Sequence, residues 1–160
     1  MKQYRDNGAI GALLDEYEKT IIDLQKVIRP ISNEYLVEIV DPNTDDPDCK
    51  SIHTILTHVV RSGYGYAVTI RRFLGEKISI ELPKVDSIEG FEIALNDMFR
   101  YNEKLFEDYP NISLYEHDND KKILVSWGQR FDVEQLFEHA IVHVLRHRRQ
   151  IERFLIKLSN

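Results

Sequence analysis

Apolar residues recur every three or four positions in four stretches of the chain, which is the spacing of one face of an α-helix. The first stretch runs from about Gly8 to Ile28, with Ile10, Leu13, Tyr17, Ile21, Leu24 and Ile28 on one stripe and Pro30 as its stop. The second runs from about Cys49 to Leu74 through Ile52, Leu56, Val59, Gly63, Tyr66 and Ile70, and Gly75 follows where a C′ glycine is favoured. The third runs from about Ser87 to Tyr109 through Ile88, Phe91, Leu95, Met98 and Leu105; Asp86 and Glu89 suit a capping box, and Pro110 closes the segment. The fourth runs from about Val133 to Leu158, with Asp132 as N-cap and Gln135 three residues on.

The links between these helices are uneven. Those after the first and third are about 20 residues long, enough to carry a crossover. Within the second long link, Ile112–Tyr115 and Ile123–Trp127 are short β-prone runs flanking the polar turn His117-Asp118-Asn119-Asp120, so a small hairpin is expected there. Asp41 to Asp48 is acidic and broken by proline, and reads as a loop. It begins like a calcium loop. However, Asp46 stands where such a loop needs glycine and Ile52 where it needs a bidentate glutamate, which excludes calcium there. The expected fold is all-α: one four-helix-bundle domain over residues 1–160, with long crossover connections and a small hairpin between the third and fourth helices.

Six histidines punctuate the pattern, and three of them, His139, His143 and His147, stand at i, i+4 and i+8 in the fourth helix. Side chains at that spacing stack on successive turns, so two imidazoles can reach one ion about 2 Å from each. The apolar seam Val133, Phe137, Ala140, Val144, Ile151, Phe154, Leu158 lacks one member, and position 147 is the gap. His147 therefore faces inward where leucine is expected. His143 lies roughly 40° to the flank and His139 a further 40° out, at 3.6 residues per turn. A seam histidine must have its ring nitrogens paired or pay in desolvation, either as a hydrogen-bonded core residue beside Tyr64 or Gln150 or as a metal ligand. A bundle metal site also needs a ligand from another helix. His53 and His58 both lie off the centre of the second helix's stripe, and periodicity does not choose between them. The small residues Ser62, Gly63 and Gly65 after His58 leave volume for an ion and its ligands.

HTILTHVVRSGYGYAVTIRR in the second helix and LFEHAIVHVLRHRRQIERFL in the fourth resemble the DinB/YfiT-like metal-dependent four-helix bundles. That family carries one histidine early in helix two and an H-x-x-x-H pair late in helix four, with Gln-Ile soon after. The matching residues are His58, then His143 and His147, then Gln150-Ile151. The resemblance extends over the whole chain in helix order and length, and leaves His53 and His139 outside the ligand set. It implies a zinc, nickel or iron-type divalent ion on His58, His143 and His147. It also implies, less directly, a transferase, isomerase or hydrolase chemistry that uses a small thiol such as bacillithiol, mycothiol or glutathione with an electrophilic small-molecule substrate. Tyr64 and Tyr66 are candidate proton donors.

Composition narrows the alternatives. With 21 basic and 27 acidic residues the net charge is −6, which argues against a nucleic-acid partner. The basic series Arg146, Arg148, Arg149, Arg153 and Lys157 suits a solvated face near a helix C-terminus. Cys49 is the only cysteine, so cysteine-rich zinc sites are excluded. It precedes a helix whose dipole would favour a thiolate, although a plain spacer is the simpler role. No Glu-x-x-His, H-E-x-x-H or G-x-S-x-G motif occurs, which removes di-iron, zincin and α/β-hydrolase readings. No apolar run is long enough to span a membrane, and no apolar leader stands at the N-terminus, so a cytoplasmic protein is expected. Tyr4 and Tyr17 in the first segment, with Phe99 and Phe106 beside the main stripe of the third helix, suggest a homodimer surface. Two readings remain: a metal-dependent enzyme, and a non-catalytic binding bundle whose metal is structural or vestigial.

Overall fold

The computed structural model describes residues 4–159, in which four long helices pack around one apolar core. Helix α1 is Gly8–Ile28, a short α2 is Asn33–Val37, and α3, α4 and α5 are Ile52–Phe73, Ile88–Asp108 and Val133–Leu158. Each long helix buries the stripe its periodicity marks. In α3, for example, Ile52, Leu56, Val59, Gly63, Tyr66 and Ile70 are all buried. In α1 the stripe shifts by one residue, with Leu14 rather than Leu13 buried.

Local chemistry sets the helix ends. At α5, Asp132 and Gln135 form the expected capping box. At α3 the start lies later than Cys49: Pro47–Cys49 is a separate 3-10 turn, and Ser51 with Thr54 makes a capping box that the hydrophobic pattern conceals. The Asp86–Glu89 box does not form. Ser87 caps α4 instead, accepting from Gly90 N at 3.1 Å, because its hydroxyl already stands at the first non-helical position. Gly75, at φ +97°, ends α3 in a Schellman arrangement: its N–H donates to Arg72 O and that of Glu76 to Arg71 O.

In the bundle, α1 and α3 each pack on both α4 and α5. The links after α1 and α4 therefore join helices that are not main packing partners, as crossovers do. The first link carries α2, whose Tyr35 hydroxyl donates to Leu158 O at the end of α5. The second carries the hairpin, but with a different pairing from the expected one. Strand β1 (Ile123–Leu124) runs antiparallel to β2 (Arg130–Phe131), and Gly128 at φ +87° makes the turn between them. The segment 112–115 is not a strand; its Leu114 is buried, and Leu114 O accepts from Glu134 N at the start of α5. The polar run expected as the hairpin turn is a 3-10 turn at Asn119–Lys121, in which the Asp118 carboxylate accepts from Asp120 N. Only a positive φ supplied this tight reversal, and within the link glycine occurs only at 128.

Three of the four aromatic residues assigned to a dimer surface lie in the chain's own core. Tyr17 is fully buried, with Phe99 and Phe137 edge-on at 5.8 and 6.3 Å, and Phe106 packs on Phe137 at 4.8 Å. Tyr17 belongs to the α1 stripe itself, and Phe99 and Phe106 are buried off the α4 stripe because α4 meets both α1 and α3, which widens its buried arc. No helix of the described residues is long and apolar enough to cross a membrane.

The glycines of α3 do different work. A Cβ on Gly63 would meet Met98 Cγ and Cε at 2.8 and 2.9 Å, and Asn102 Nδ2 donates to Gly63 O at 3.0 Å. Gly63 thus permits close approach of α4, and is not ligand space. At Gly65 a Cβ meets nothing within 4 Å. Gly63→Ala should destabilise the fold by about 1–3 kcal/mol through overpacking. Gly65→Ala should be neutral or stabilise it by up to about 1 kcal/mol through helix propensity. Urea unfolding midpoints of the two variants check the contrast.

Candidate metal centre

Helix α3 and helix α5 bring three imidazoles edge to edge. His58 Nε2 lies 2.9 Å from His143 Nε2, which lies 3.2 Å from His147 Nε2. One nitrogen from each ring falls within 4.8 Å of the others, a grouping able to hold a metal ion. His143 and His147 are 8% and 6% exposed, while His58 is half-buried at the rim. His143 is therefore more deeply placed than a flank position suggests, because the packing of α3 against α5 closes over it.

The outer nitrogens are held from outside the cluster. His58 Nδ1 faces Asp48 Oδ2 at 3.0 Å. Arg61 Nη2 reaches the same carboxylate oxygen at short range, so its hydrogen goes there and His58 Nδ1 donates as well. His147 Nδ1 faces Gln150 Oε1 at 3.1 Å, an oxygen that also accepts from Cys49 Sγ at 3.7 Å. A proton on each Nδ1 leaves a lone pair on the Nε2 of both His58 and His147. Both lone pairs point at His143 Nε2, which carries at most one hydrogen. A cation answers all three nitrogens at once. Tetrahedral coordination with N–metal bonds near 2.05 Å places ligand nitrogens about 3.3 Å apart, close to the separations of His143 Nε2 from His58 Nε2 and His147 Nε2. A carboxylate or amide on the far nitrogen is the usual outer support of a metal-bound histidine.

Electrostatics favour the neutral rings that ligation needs. Burial, with the neighbouring imidazoles and Arg146 adding to it, pushes His143 down to about 3. Burial also lowers His147, against the hydrogen bond to Gln150. Cys49 goes the other way. Its half-buried thiol is pushed up by desolvation and by Asp46, and it ends a 3-10 turn rather than opening α3, so no helix dipole favours a thiolate there.

The remaining histidines lie outside the cluster. His53 Nε2 donates to Val85 O at 2.8 Å and its ring meets Phe91, on the α4 side of α3. His117 is exposed on the long link. His139 packs between Trp127 and His143, with both rings stacked on it at 5.5 and 6.3 Å. Tyr66 is buried and sits edge-on to His139 and His143 at 5.6 and 5.9 Å, whereas Tyr64 packs on Tyr101. Asp48 and Arg61 carried no signal of their own in the sequence. Asp48 belongs to an acidic loop legible only as a failed calcium site, and its distance from His58 follows no helical period.

No family model matches the chain, and neither the curated proteins nor the solved structures compared with it give a match.

The depressed His143 has a consequence for pH. Its folded pKa lies below the ordinary value of 6.5, so the unfolded chain takes up the proton first. Stability of metal-free protein is then fully present above pH 6.5 and declines as pH falls towards 3. Urea midpoints measured between pH 7.5 and 4.5 in a chelator should fall with pH. His143→Leu should flatten that slope in part, leaving the share due to His147; an unchanged slope would refute the assignment.

Proposed function

We propose that this chain is a divalent-metal-dependent enzyme of DinB/YfiT-like type that holds one ion on His58, His143 and His147. Its substrates in this reading are a low-molecular-weight thiol and an electrophilic small molecule, with hydrolysis as the related chemistry. The observation that carries the reading is the meeting of three Nε2 atoms whose partner nitrogens, on His58 and His147, are already occupied by Asp48 and Gln150. An all-imidazole donor set suits zinc, nickel or iron-type ions and does not suit calcium or magnesium. Three protein donors leave a coordination position for a further ligand. When bound, such an ion supplies Lewis acidity that lowers the pKa of a thiol or a water.

The chain's own residues supply the rest. Asp48 and Gln150 fix the tautomers and the ring orientations of His58 and His147. Tyr66, its phenol pushed up to about 12 by burial, stays protonated near neutral pH, and its ring contact with His143 supports it over Tyr64 as the proton donor of this reading. The apolar packing of Phe137, Ala140 and Val144 behind the rings excludes water from the inner side. A non-catalytic metal site is the second reading, and the burial of His143 and His147 favours it.

Protein purified without chelator should contain about one divalent ion per chain by elemental analysis. His143→Ala and His147→Ala should abolish binding, His58→Ala should weaken it severely, and His53→Ala and His139→Ala should leave it nearly intact. Asp48→Asn should lower affinity roughly 10–100-fold by releasing the outer nitrogen of His58. Equal loss in His53→Ala and His58→Ala sinks the ligand set.

A separate measurement addresses the reaction. Bacillithiol or glutathione should perturb the visible spectrum of cobalt-substituted protein, and transfer of that thiol to chlorodinitrobenzene should vanish with chelator. A cobalt spectrum indifferent to every thiol, with no turnover above the uncatalysed rate, moves the weight to the non-catalytic reading.

A further inference from the structure

Most cations around the three-histidine cluster are engaged. Arg61 is on Asp48, Arg148 is near Asp23 and Glu152, and Arg130 donates to the carbonyls of Asp120 and Lys122. Arg146 differs. It lies one turn beyond His143 and next to His147, is exposed, and has no hydrogen bond or ion pair among the described residues. Its charge nevertheless reaches inward, adding to the burial that lowers His139, His143 and His147 and partly opposing the burial that raises the Tyr66 phenol.

On the same flank of α5, flat rings run from the surface to the cluster. Trp127, half of it exposed on the hairpin, stacks on His139 with an interplanar angle of 27°, and His139 stacks on His143 at 28°. Phe131 closes the side, 6.0 Å from Trp127 and 5.6 Å from His139. A shallow groove lined by Arg130, Phe131, Gln135, Glu138, His139 and Val142 opens alongside, so its own two charges are of opposite sign.

We infer that Arg146 and the Trp127–His139 wall form the recognition arm of the centre, and that the ligand it takes is a small monocarboxylate with a flat aromatic or conjugated body. The inference rests on the metal reading and adds to it the class of the electrophilic substrate. The carboxylate pairs with the guanidinium fork, whose geometry matches two oxygens in one plane. The flat body lies along the neutral aromatic surface beside His139. Arg146 is the one cation whose charge is felt at His139, and it balances one negative charge, so a phosphate dianion in a chain of net charge −6 is the poorer match.

Trp127 is the only tryptophan, so its fluorescence reports on the ring wall it forms with His139. The test uses cobalt-loaded full-length protein titrated with benzoate, acetate and benzamide, read by the cobalt visible bands and by Trp127 emission. Benzoate should change both signals, acetate should bind more weakly, and neutral benzamide should change neither. Arg146→Gln should weaken benzoate binding about tenfold or more while cobalt affinity stays unchanged. Trp127→Leu, read by the cobalt bands, should reduce the preference for benzoate over acetate. Equal benzoate affinity in Arg146→Gln and the parent overturns the inference, as does acetate binding as tightly as benzoate. Normal cobalt bands that no carboxylate alters overturn this inference and leave the metal reading standing. Absence of the cobalt bands overturns the metal reading, and this inference with it.

Discussion

A neutral imidazole inside an apolar helix interface has two nitrogens to satisfy, and α5 places two such rings on adjacent turns. Much of the molecule is arranged around that requirement. The inner nitrogens of His143 and His147 meet each other and His58, so α3 must approach α5 with His58 turned towards it. The outer nitrogens of His58 and His147 need acceptors from outside the interface, so the loop before α3 must fold back against the bundle and bring Asp48 with it. Leucines at both 143 and 147 would remove the interior demand and leave an ordinary bundle seam.

The crossover links answer the demand for outer partners. The link after α1 is long enough to reach past α5, where Tyr35 bonds the last turn, and then to return through the 3-10 turn at Pro47–Cys49. That turn presents Asp48 to His58 and Cys49 to Gln150, so one short segment touches the supports of two of the three rings. Ser51 and Thr54 then start α3 sharply, which fixes the phase at which His58 appears two turns later. The hairpin in the second link performs the equivalent service on the far side by laying Trp127 and Phe131 over His139.

Charge is kept at the ends and edges of the bundle. Arg5 ties the entry of α1 to Asp15, Glu18 and Glu103, and Arg71 ties the exit of α3 to Glu76 and Asp108. These networks clamp α1 to α4 and α3 to α4 at positions remote from the histidines. Between them the interior polar groups are neutral. Asn102 stands in the α4 stripe at a position where the period calls for an apolar residue, and bonds Gly63 O and Met98 O. The α3–α4 contact is thereby registered by an amide, and the α3–α5 contact by imidazoles.

The four long helices, most of their buried stripes, the Asp132–Gln135 cap and the inward place of His147 were determined by the sequence alone. Each depends on spacing within a single helix, and that spacing is a property of the chain read along its length. The same logic marked His143 as a neighbour of His147, but could not choose between His53 and His58. Both lie off the stripe, and which of them meets α5 depends on how α3 is rotated against its partners. Tertiary structure made that choice: Val85 O takes His53, and Asp48 takes His58. It also decided that Gly63 serves helix contact, that β1 pairs with 130–131 rather than with 112–115, and that Tyr17, Phe99 and Phe106 belong to the core. Each of those outcomes turns on residues far apart in the chain, brought together by packing that no local period encodes.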